Sequence, residues 1–488
     1  LTKFLGTTVA CSFGVHRGDV ATAIRGVVER VFVSTSDSAD GSFGRPPIPR
    51  TDAVFRGLQQ FKDALLGPAP GLDPWTVKKF ISTRVRNKAV YERAYKNLGR
   101  DGEQASDANM STFVKAEKLN LTKKPDPVPR VIQPRRPEYN VCVGPFIAPL
   151  EGVLYKRITR AFGSLPVVFK GMNSLKQGEL MAAKWAAVED PVGIGLDVHR
   201  MDQHVSKPFL QWEHSVYNSY YHSRRLRRLL RRQLRNTGKV RCADGSFKYT
   251  VEGCRMSGDM NTSLGNCLIM CALVWTFMKR YDCHYELANN GDDCVLIIPR
   301  RYLSRVQRAL PEFFKQYGFP VEVEPAVDQL EHIDFCQTRP VTDGEHWYMV
   351  RDPRICLDKD ACTLKPVRTE ADWNVLRNTV GMSGLALAGH MPVFSAFYEA
   401  LRRGAGERVD KDLTLSGFKV LAKGMNCRGR PVTTAARASF YAAFGISPTE
   451  QRVVEEHYAR IRPVWREPQM DRGVLESTPV GIIMGSSF

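Results

Sequence analysis

Two hydrophobic periods divide this chain. From Thr51 to about Leu98 apolar residues recur at helical spacing, most cleanly in AVFRGLQQFKDALL. The segment HSRRLRRLLRRQLRN, residues 222–236, sets Leu226, Leu229, Leu230 and Leu234 on one helical face and arginines elsewhere. Residues 301–317 repeat the helical period, and so does most of the chain after about 366, with Gly and Pro breaks. CLIMCALVWTFM, residues 267–278, is apolar all round; it predicts a buried helix and is too short to cross a bilayer. Strands are predicted elsewhere. GKVRCADGSFKYTVEG predicts a hairpin about Asp244-Gly245, and HYELANNGDDCVLII a second with an Asn/Gly turn. VGIGL predicts a buried strand ending at Asp197, and EHWYMVRDPRIC an extended segment. ATAIRGVVERVFV has short helical or strand character. Residues 34–50, rich in Ser, Gly and Pro, predict a loop or linker. Residues 123–137 carry five prolines and predict extended, basic backbone. Strands in the middle and helices at both ends make the expected class α+β.

Composition narrows the partners. At 488 residues two or more subdomains are expected, and a hydrophobic fraction of 43% supports a real core. Lys plus Arg is 70 against 51 Asp plus Glu, a net charge of +19 that favours nucleic acid or a membrane surface. The twelve cysteines form no CxxC pair, which suggests free thiols in a reducing compartment. Cys267 and Cys271 lie in an apolar run and suit core packing. No signal peptide is evident, and a start at Leu1 suggests a fragment or processed product.

The chemistry centres on Asn289-Asn290-Gly291-Asp292-Asp293, between two apolar runs. Adjacent carboxylates at a tight turn can hold divalent metal against a triphosphate. An Asp-Asp pair arises about once by chance in a chain this long, so its company matters. Asp197 ends a buried strand, a costly place for a charge without a cation. With Asp292 it could hold two Mg²⁺ about 4 Å apart, and the competing account is a helix cap. In RMSGDMNTSLGN, residues 255–266, Ser257-Gly258 predicts a flexible loop, and Thr262 and Asn266 share one helical face. Asn266 from one side and Asp202 from the other could meet a ribose 2′-hydroxyl. The alternative is an ordinary helix start capped by Asn261 or Asp259. Lys115 and Lys118 flank Glu117, and Arg130 and Arg135 lie in the proline-rich stretch. Fixed cations on stiff backbone suit an incoming triphosphate, and a solvated basic loop is the bland alternative.

The ordered series FVKAEK, PRVIQPR, GLDVHRMDQHVS, SGDMNTSLGN, NNGDD and FCQ resembles the motifs of viral RNA-dependent RNA polymerases, most of all those of the tombusvirus family. VFKGMN, WEHSVY and FCQT are also similar, and the likeness runs from about Trp75 to Asp360. His199 and Met201 depart from the family's small residue and Phe, beside the functional carboxylates rather than in place of them.

The resemblance implies a right-hand fold. Residues 1–50 would be an N-terminal extension that links fingers to thumb, with fingers at 51–190 and 207–250, palm at 191–206 and 251–345, and thumb at 346–488. It implies Asp197 and Asp292 as main ligands of Mg²⁺ or Mn²⁺, with Asp293 secondary. Asp202 and Asn266 would check the ribose, supported by Ser257, Gly258 and Thr262. Lys115, Lys118, Arg130 and Arg135 would line the nucleotide path. Phe335-Cys336 would belong to a hairpin gripping the new 3′ end, and Lys315 is a candidate proton donor to pyrophosphate. Arginines of the Arg-rich helix, among them Arg224, Arg228 and Arg231, could contact template phosphates, against a solvated face or a membrane surface as alternatives. Arg351 and Arg354 could approach RNA or pair with Asp352 and Asp358. Implied partners are template and product RNA, ribonucleoside triphosphates, a viral auxiliary replication protein and host factors. Membrane contact would be indirect or through an upstream segment, in replication complexes of the host cytoplasm. Two rival readings stand beside this one: a non-catalytic basic RNA-packaging protein, and a reverse transcriptase or metal nuclease.

Overall fold

The computed structural model describes residues 1–34, 42–67, 71–410 and 421–465, and the backbone strand Val474–Leu475. Much of the expected linker, residues 35–41, and the chain's last residues lie outside the described residues. Helices and strands mix as an α+β architecture.

At the centre is a four-stranded antiparallel sheet in the order Val321–Val323, Pro191–Val198, Asp293–Pro299, Glu286–Asn290. Its register sets Leu196 opposite Cys294 and Ile194 opposite Leu296. Ile194, Leu196, Cys294, Leu296 and Ile298 pack into the largest core, with the helices Pro137–Phe162 and Thr262–Met278. Val295, Ile297 and Ala288 face a smaller core with Phe169, Met181, Ile333 and Phe335. Both faces are covered, which is why the central strands are apolar almost without alternation. Gly195 lets Glu324 cross that second face: Glu324 N–H donates to the Gly195 carbonyl at 2.9 Å, and a Cβ on Gly195 would overlap the Glu324 side chain.

A second four-stranded sheet runs Val131–Ile132, Met110–Val114, Arg235–Cys242, Gly245–Glu252. Its last two strands are the hairpin expected about Asp244-Gly245. The N-terminal segment ties distant parts together. Thr2–Lys3 pairs with Cys362–Thr363, and Phe13–Gly14 pairs with Leu119–Asn120. The helices Glu370–Ala388, Phe394–Arg402, Thr434–Phe444 and Pro448–Arg460 enclose a core of their own. Among the described residues no helix is long and apolar enough to cross a membrane.

Several expected elements differ in extent. The Arg-rich helix spans only Arg224–Arg231; Leu234 leaves it because the ladder of the strand Arg235–Cys242 takes over, with Asn236 bonded back to the Gln233 carbonyl at 2.8 Å. The extended segment 345–356 is a strand only over Trp347–Arg351, since Asp352 caps a helix Pro353–Asp360. The N-terminal stretch expected to be short helix or strand is the helix Val20–Val27 continued by a π-turn to Phe32. Arg351 pairs with Asp360 at 2.8 Å and Arg354 with Asp352 at 3.9 Å, while Asp358 is taken by Lys3 at 2.6 Å.

His390 offers a test of the C-terminal core. It is 1% exposed, its ring lies 4.3 Å from that of Tyr348, and among the described residues neither ring nitrogen has a hydrogen-bond partner. Burial, with Arg430 beside it, lowers its pKa to about 4. An unfolded His takes its proton near 6.5, so this site's stability is whole above that pH and is lost as pH falls towards 4. Thermal midpoints should therefore drop across that window, and His390→Phe should flatten the drop. An equal slope in the variant would show that His390 does not set it.

Candidate active site

The turn between the two central strands is tighter than its sequence suggests. Asn290 pairs with Asp293, so only Gly291 and Asp292 lie between the strands. Buried Asn289 staples the turn: its Nδ2 donates to the Gly291 carbonyl at 2.8 Å, and its Oδ1 accepts from Gly291 N–H at 3.3 Å. The ladder between the two acidic strands ends at Leu196–Cys294, which sets Asp197 level with Asp293. Asp197 lies within a strand that continues to Val198, and the N-cap position of the short helix after it is Arg200, which makes no side-chain capping bond, so Asp197 is no helix cap.

Like charges crowd this strand end. Desolvation, then the charges of Asp292 and Asp197, push the Asp293 carboxyl up to about 6. Burial likewise raises Asp202, against the hydrogen bonds of Ser257 and Asn266, and Asp292 adds to the rise. Among the described residues no three His, Cys, Asp or Glu side chains close into a ready cage. The donor set nevertheless fits a hard divalent cation: carboxylates gathered at one strand end, with repulsion that a cation would relieve.

Asp202 is held on both oxygens. Ser257 Oγ donates to one, and Asn266 Nδ2 donates to the other at 2.8 Å. Thr262 Oγ1 donates to the Met256 carbonyl at 2.9 Å, closing the loop before the helix Thr262–Met278. That loop is not free. Ser257 accepts at its carbonyl from Gln133 N–H at 2.7 Å. Gly258, at φ +137°, lies so close to the backbone of Gln133 and Pro134 that a Cβ there would stand 3.0 Å away. The expectation of a flexible loop is therefore corrected. Asn261 occupies the N-cap position of that helix, yet neither it nor Asp259 makes a side-chain capping bond there. Asp259 accepts instead from Arg135.

The basic residues divide. Arg135 is 3% exposed and bonded to Asp259, the Ala108 carbonyl and Asn236, so it corrects the expectation of a channel residue. All three of its guanidinium nitrogens donate inside the fold. Lys118 Nζ donates to the Lys359 carbonyl at 2.7 Å, tying it to the C-terminal half rather than leaving it free. Lys115 and Arg130 stay near the surface, paired with Glu117 at 3.0 and 3.3 Å. Phe335 is buried against Phe169 and cannot touch RNA itself, whereas Cys336 reaches Asn290 at 3.0 Å and Asp293 at 3.6 Å. In the Arg-rich helix Arg228 leans to Glu103 at 3.6 Å, and Arg224 and Arg231 are exposed. Lys315 is exposed near the end of the helix Leu303–Gln316.

Two residues went unassigned in the sequence. Lys170, in VFKGMN, is a cation beside the acidic turn: a Cβ on Gly291 would stand 3.6 Å from its Nζ, and its charge opposes the rise at Asp293. Its segment lies parallel to the turn's first strand, with Phe169 N–H donating to the Asn289 carbonyl at 2.9 Å. Arg255 is wholly buried and bonds Glu213 and Asn266. Nothing in sequence spacing joins 213 to 255, so only a mapped contact could have found that pair.

Comparison with known proteins gives this geometry its context. A family model described as viral RNA dependent RNA polymerase matches residues 2–466. The RNA-directed RNA polymerase of tobacco necrosis virus (strain A) is 40% identical over 466 residues, covering 94% of this chain and 63% of that protein. Those of melon necrotic spot virus and turnip crinkle virus are 39% and 38% identical, covering 93% and 96% of this chain and 58% and 61% of theirs. Matches of this extent define a class, the RNA-directed polymerases of RNA viruses. The chain belongs to the viral RNA dependent RNA polymerase family. It spans about three fifths of the length of these curated relatives.

Arg135 separates a structural role from a channel role. Breaking a buried ion pair costs about 3–5 kcal/mol, whereas a surface change stays within roughly 0.5 kcal/mol. Arg135→Ala should therefore lower unfolding stability by the larger amount in urea titration. A midpoint equal to wild type would return Arg135 to the channel.

Proposed function

We propose that this chain is a template-directed RNA polymerase that copies the genome of a positive-strand plant RNA virus from ribonucleoside triphosphates. The observation that carries this reading is the register that sets Asp197 level with Asp293, beside Asp202 held between Ser257 and Asn266. Asp197 and Asp292, with Asp293 secondary, would hold Mg²⁺ or Mn²⁺, which when bound supplies the charge that a 3′-hydroxyl attack on an α-phosphate requires. The chain's own residues position the reactants. Asp202 and Asn266 retain acceptor and donor capacity for a ribose 2′-hydroxyl, and a deoxyribose would leave that capacity unmet. Lys115 and Arg130, near the surface, draw in the triphosphate. Lys170 offers a positive charge to phosphate or carboxylate at the turn. Cys336, which reaches Asp293 at 3.6 Å, would help to grip a growing 3′ end. Lys315 keeps its candidacy as proton donor only by exposure, with no contact to the acidic turn in its support.

In this reading the central sheet and its helices are the palm (191–206 and 251–345), residues 51–190 and 207–250 the fingers, and 346–488 the thumb. The N-terminal segment pairs with strands in both fingers and thumb, which supports its role as the link between them. Arg224 and Arg231 would meet template phosphates, making RNA binding salt-sensitive. The chain's setting would be membrane-associated complexes of the host cytoplasm, with an auxiliary replication protein and host factors as partners.

Nucleotide incorporation on a short RNA template with Mg²⁺ or Mn²⁺ tests the proposal. Asp292→Ala should abolish synthesis and leave RNA binding largely intact. Persistent synthesis would overturn the site, and wild-type protein that binds RNA without ever extending it would favour a packaging role. Asn266→Ala should reduce the preference for ribonucleotides over deoxyribonucleotides, which parallel incorporation assays would read.

A further inference from the structure

We infer that Glu213 and Arg255 are positioning residues for ribose selection, acting through the side-chain amide of Asn266. The inference rests on the reading that Asp202 and Asn266 meet the ribose. An asparagine amide can present either end, and here the choice matters. Only the NH₂ end can donate to the Asp202 carboxylate, which it does at 2.8 Å. Arg255 Nε–H donates to the other end, Asn266 Oδ1, at 3.2 Å. A flipped amide would set NH₂ against guanidinium N–H and oxygen against carboxylate, losing both bonds.

A guanidinium is suited to this task because it carries donors and no acceptor, and keeps its charge. A neutral amide in its place could itself turn over. Arg255 is in turn fixed by Glu213, with Nη1 donating to Oε1 at 3.1 Å and Nη2 to Oε2. Both side chains are 0% exposed, so water does not compete for these bonds. Burial opposes ionisation of Glu213, and the adjacent guanidinium outweighs it, so the carboxyl stays below its ordinary range. Glu213 also accepts from Asn261 Nδ2 at 2.7 Å, which ties the pair to the residue just before the Asn266 helix. Arg255 reaches Asp202 a second way: its backbone N–H donates to the Asp202 carbonyl at 2.8 Å. One buried arginine thus fixes both partners of the ribose pair. Gly265 leaves the room, since a Cβ there would overlap both charged groups. The same ion pair gives WEHSVY and the start of RMSGDM a shared purpose across 42 residues of sequence.

The test compares kcat/KM for a ribonucleotide with that for the matching deoxyribonucleotide, using the full chain on a short RNA template. Replacing a buried ion pair by apolar residues is often neutral for stability, so Glu213→Leu with Arg255→Met should melt near wild type. Its ribo-over-deoxy ratio should fall about tenfold, the worth of one charge-assisted hydrogen bond. The loss should appear as a raised KM for the ribonucleotide, with deoxyribonucleotide use unchanged. A merely structural role would lower both substrates alike. Glu213→Gln keeps the shape and an acceptor and should give a smaller fall; it decides the matter if the double variant does not fold. Asn266→Ala separates the two levels. If it leaves the ratio unchanged, the ribose reading itself fails. If it lowers the ratio while the folded Glu213 and Arg255 variants keep the wild-type value, or lose both substrates equally, the inference is overturned.

Discussion

The repulsion among carboxylates at one strand end is the constraint on which this fold turns. Asp197, Asp292 and Asp293 share the end of two neighbouring strands, and Asp202 lies close enough to feel Asp292. Such an arrangement opposes folding, because, on top of burial, the charges of Asp292 and Asp197 raise the cost of ionising Asp293, and that of Asp292 adds to the cost at Asp202. Rigid backbone therefore has to hold it. The β-ladder from Pro191–Pro299 to Leu196–Cys294 fixes the level of the two strands. Asn289 closes the turn, and a central sheet packed on both faces prevents the strand ends from drifting apart. Lys170 supplies positive charge beside the turn. The result is a cluster of like charges held together by the backbone, with the Asp293 carboxyl pushed up by burial and its neighbours and Lys170 opposing that rise.

Much of this was legible in the sequence, and the legible part shares a cause. The acidic turn, the strand ending near Asp197 and the helix after Ser257 are local patterns, each set by period, turn residues or a polar residue at an apolar run's end. Their order along the chain made them meaningful together. The hairpin about Asp244-Gly245 was legible for the same reason. The 26-residue helix Pro137–Phe162 was not. It contains Pro145 and Pro149, which argue against a helix on local grounds, and tertiary burial of Tyr139, Val143, Leu150 and Leu154 overrides them. The Arg-rich helix was overextended because leucine spacing continued past the point where strand pairing had taken the backbone.

Charged residues were the least legible, because a sequence gives a charge but not its partner. Arg135 and Arg130 sit in one proline-rich stretch and look equivalent there. In the fold one is sealed against Asp259 and the other is 55% exposed in its side chain. Lys118 looked like part of a triphosphate path and instead anchors the Lys359 carbonyl. Lys170, the cation that does stand at the acidic turn, lies about 120 residues before it and has no nearby charge pattern to mark it. Proximity of this kind depends on the parallel bridge between Val168 and Asn289, a long-range pairing that composition cannot reveal.

The loop from Arg255 to Thr262 brings these points to one place. A buried ion pair anchors each of two points on it: Arg255 with Glu213, and Asp259 with Arg135. Buried pairs add little net stability over apolar residues of the same shape, but breaking one by removing a single partner is expensive. They act less as sources of stability than as locks on geometry. Between the two locks lie Ser257 and Gly258, the first bonded to Asp202 and the second pressed against Gln133 and Pro134. A loop that must present a hydroxyl to a carboxylate at one fixed distance gains from being expensive to move. Two opposite-sense ion pairs, one arginine on the loop and one reaching in from outside, hold it from both sides without adding net charge beside the acidic turn. That neutrality matters here, since an uncompensated carboxylate on the loop would deepen the repulsion at Asp293 that Lys170 already opposes.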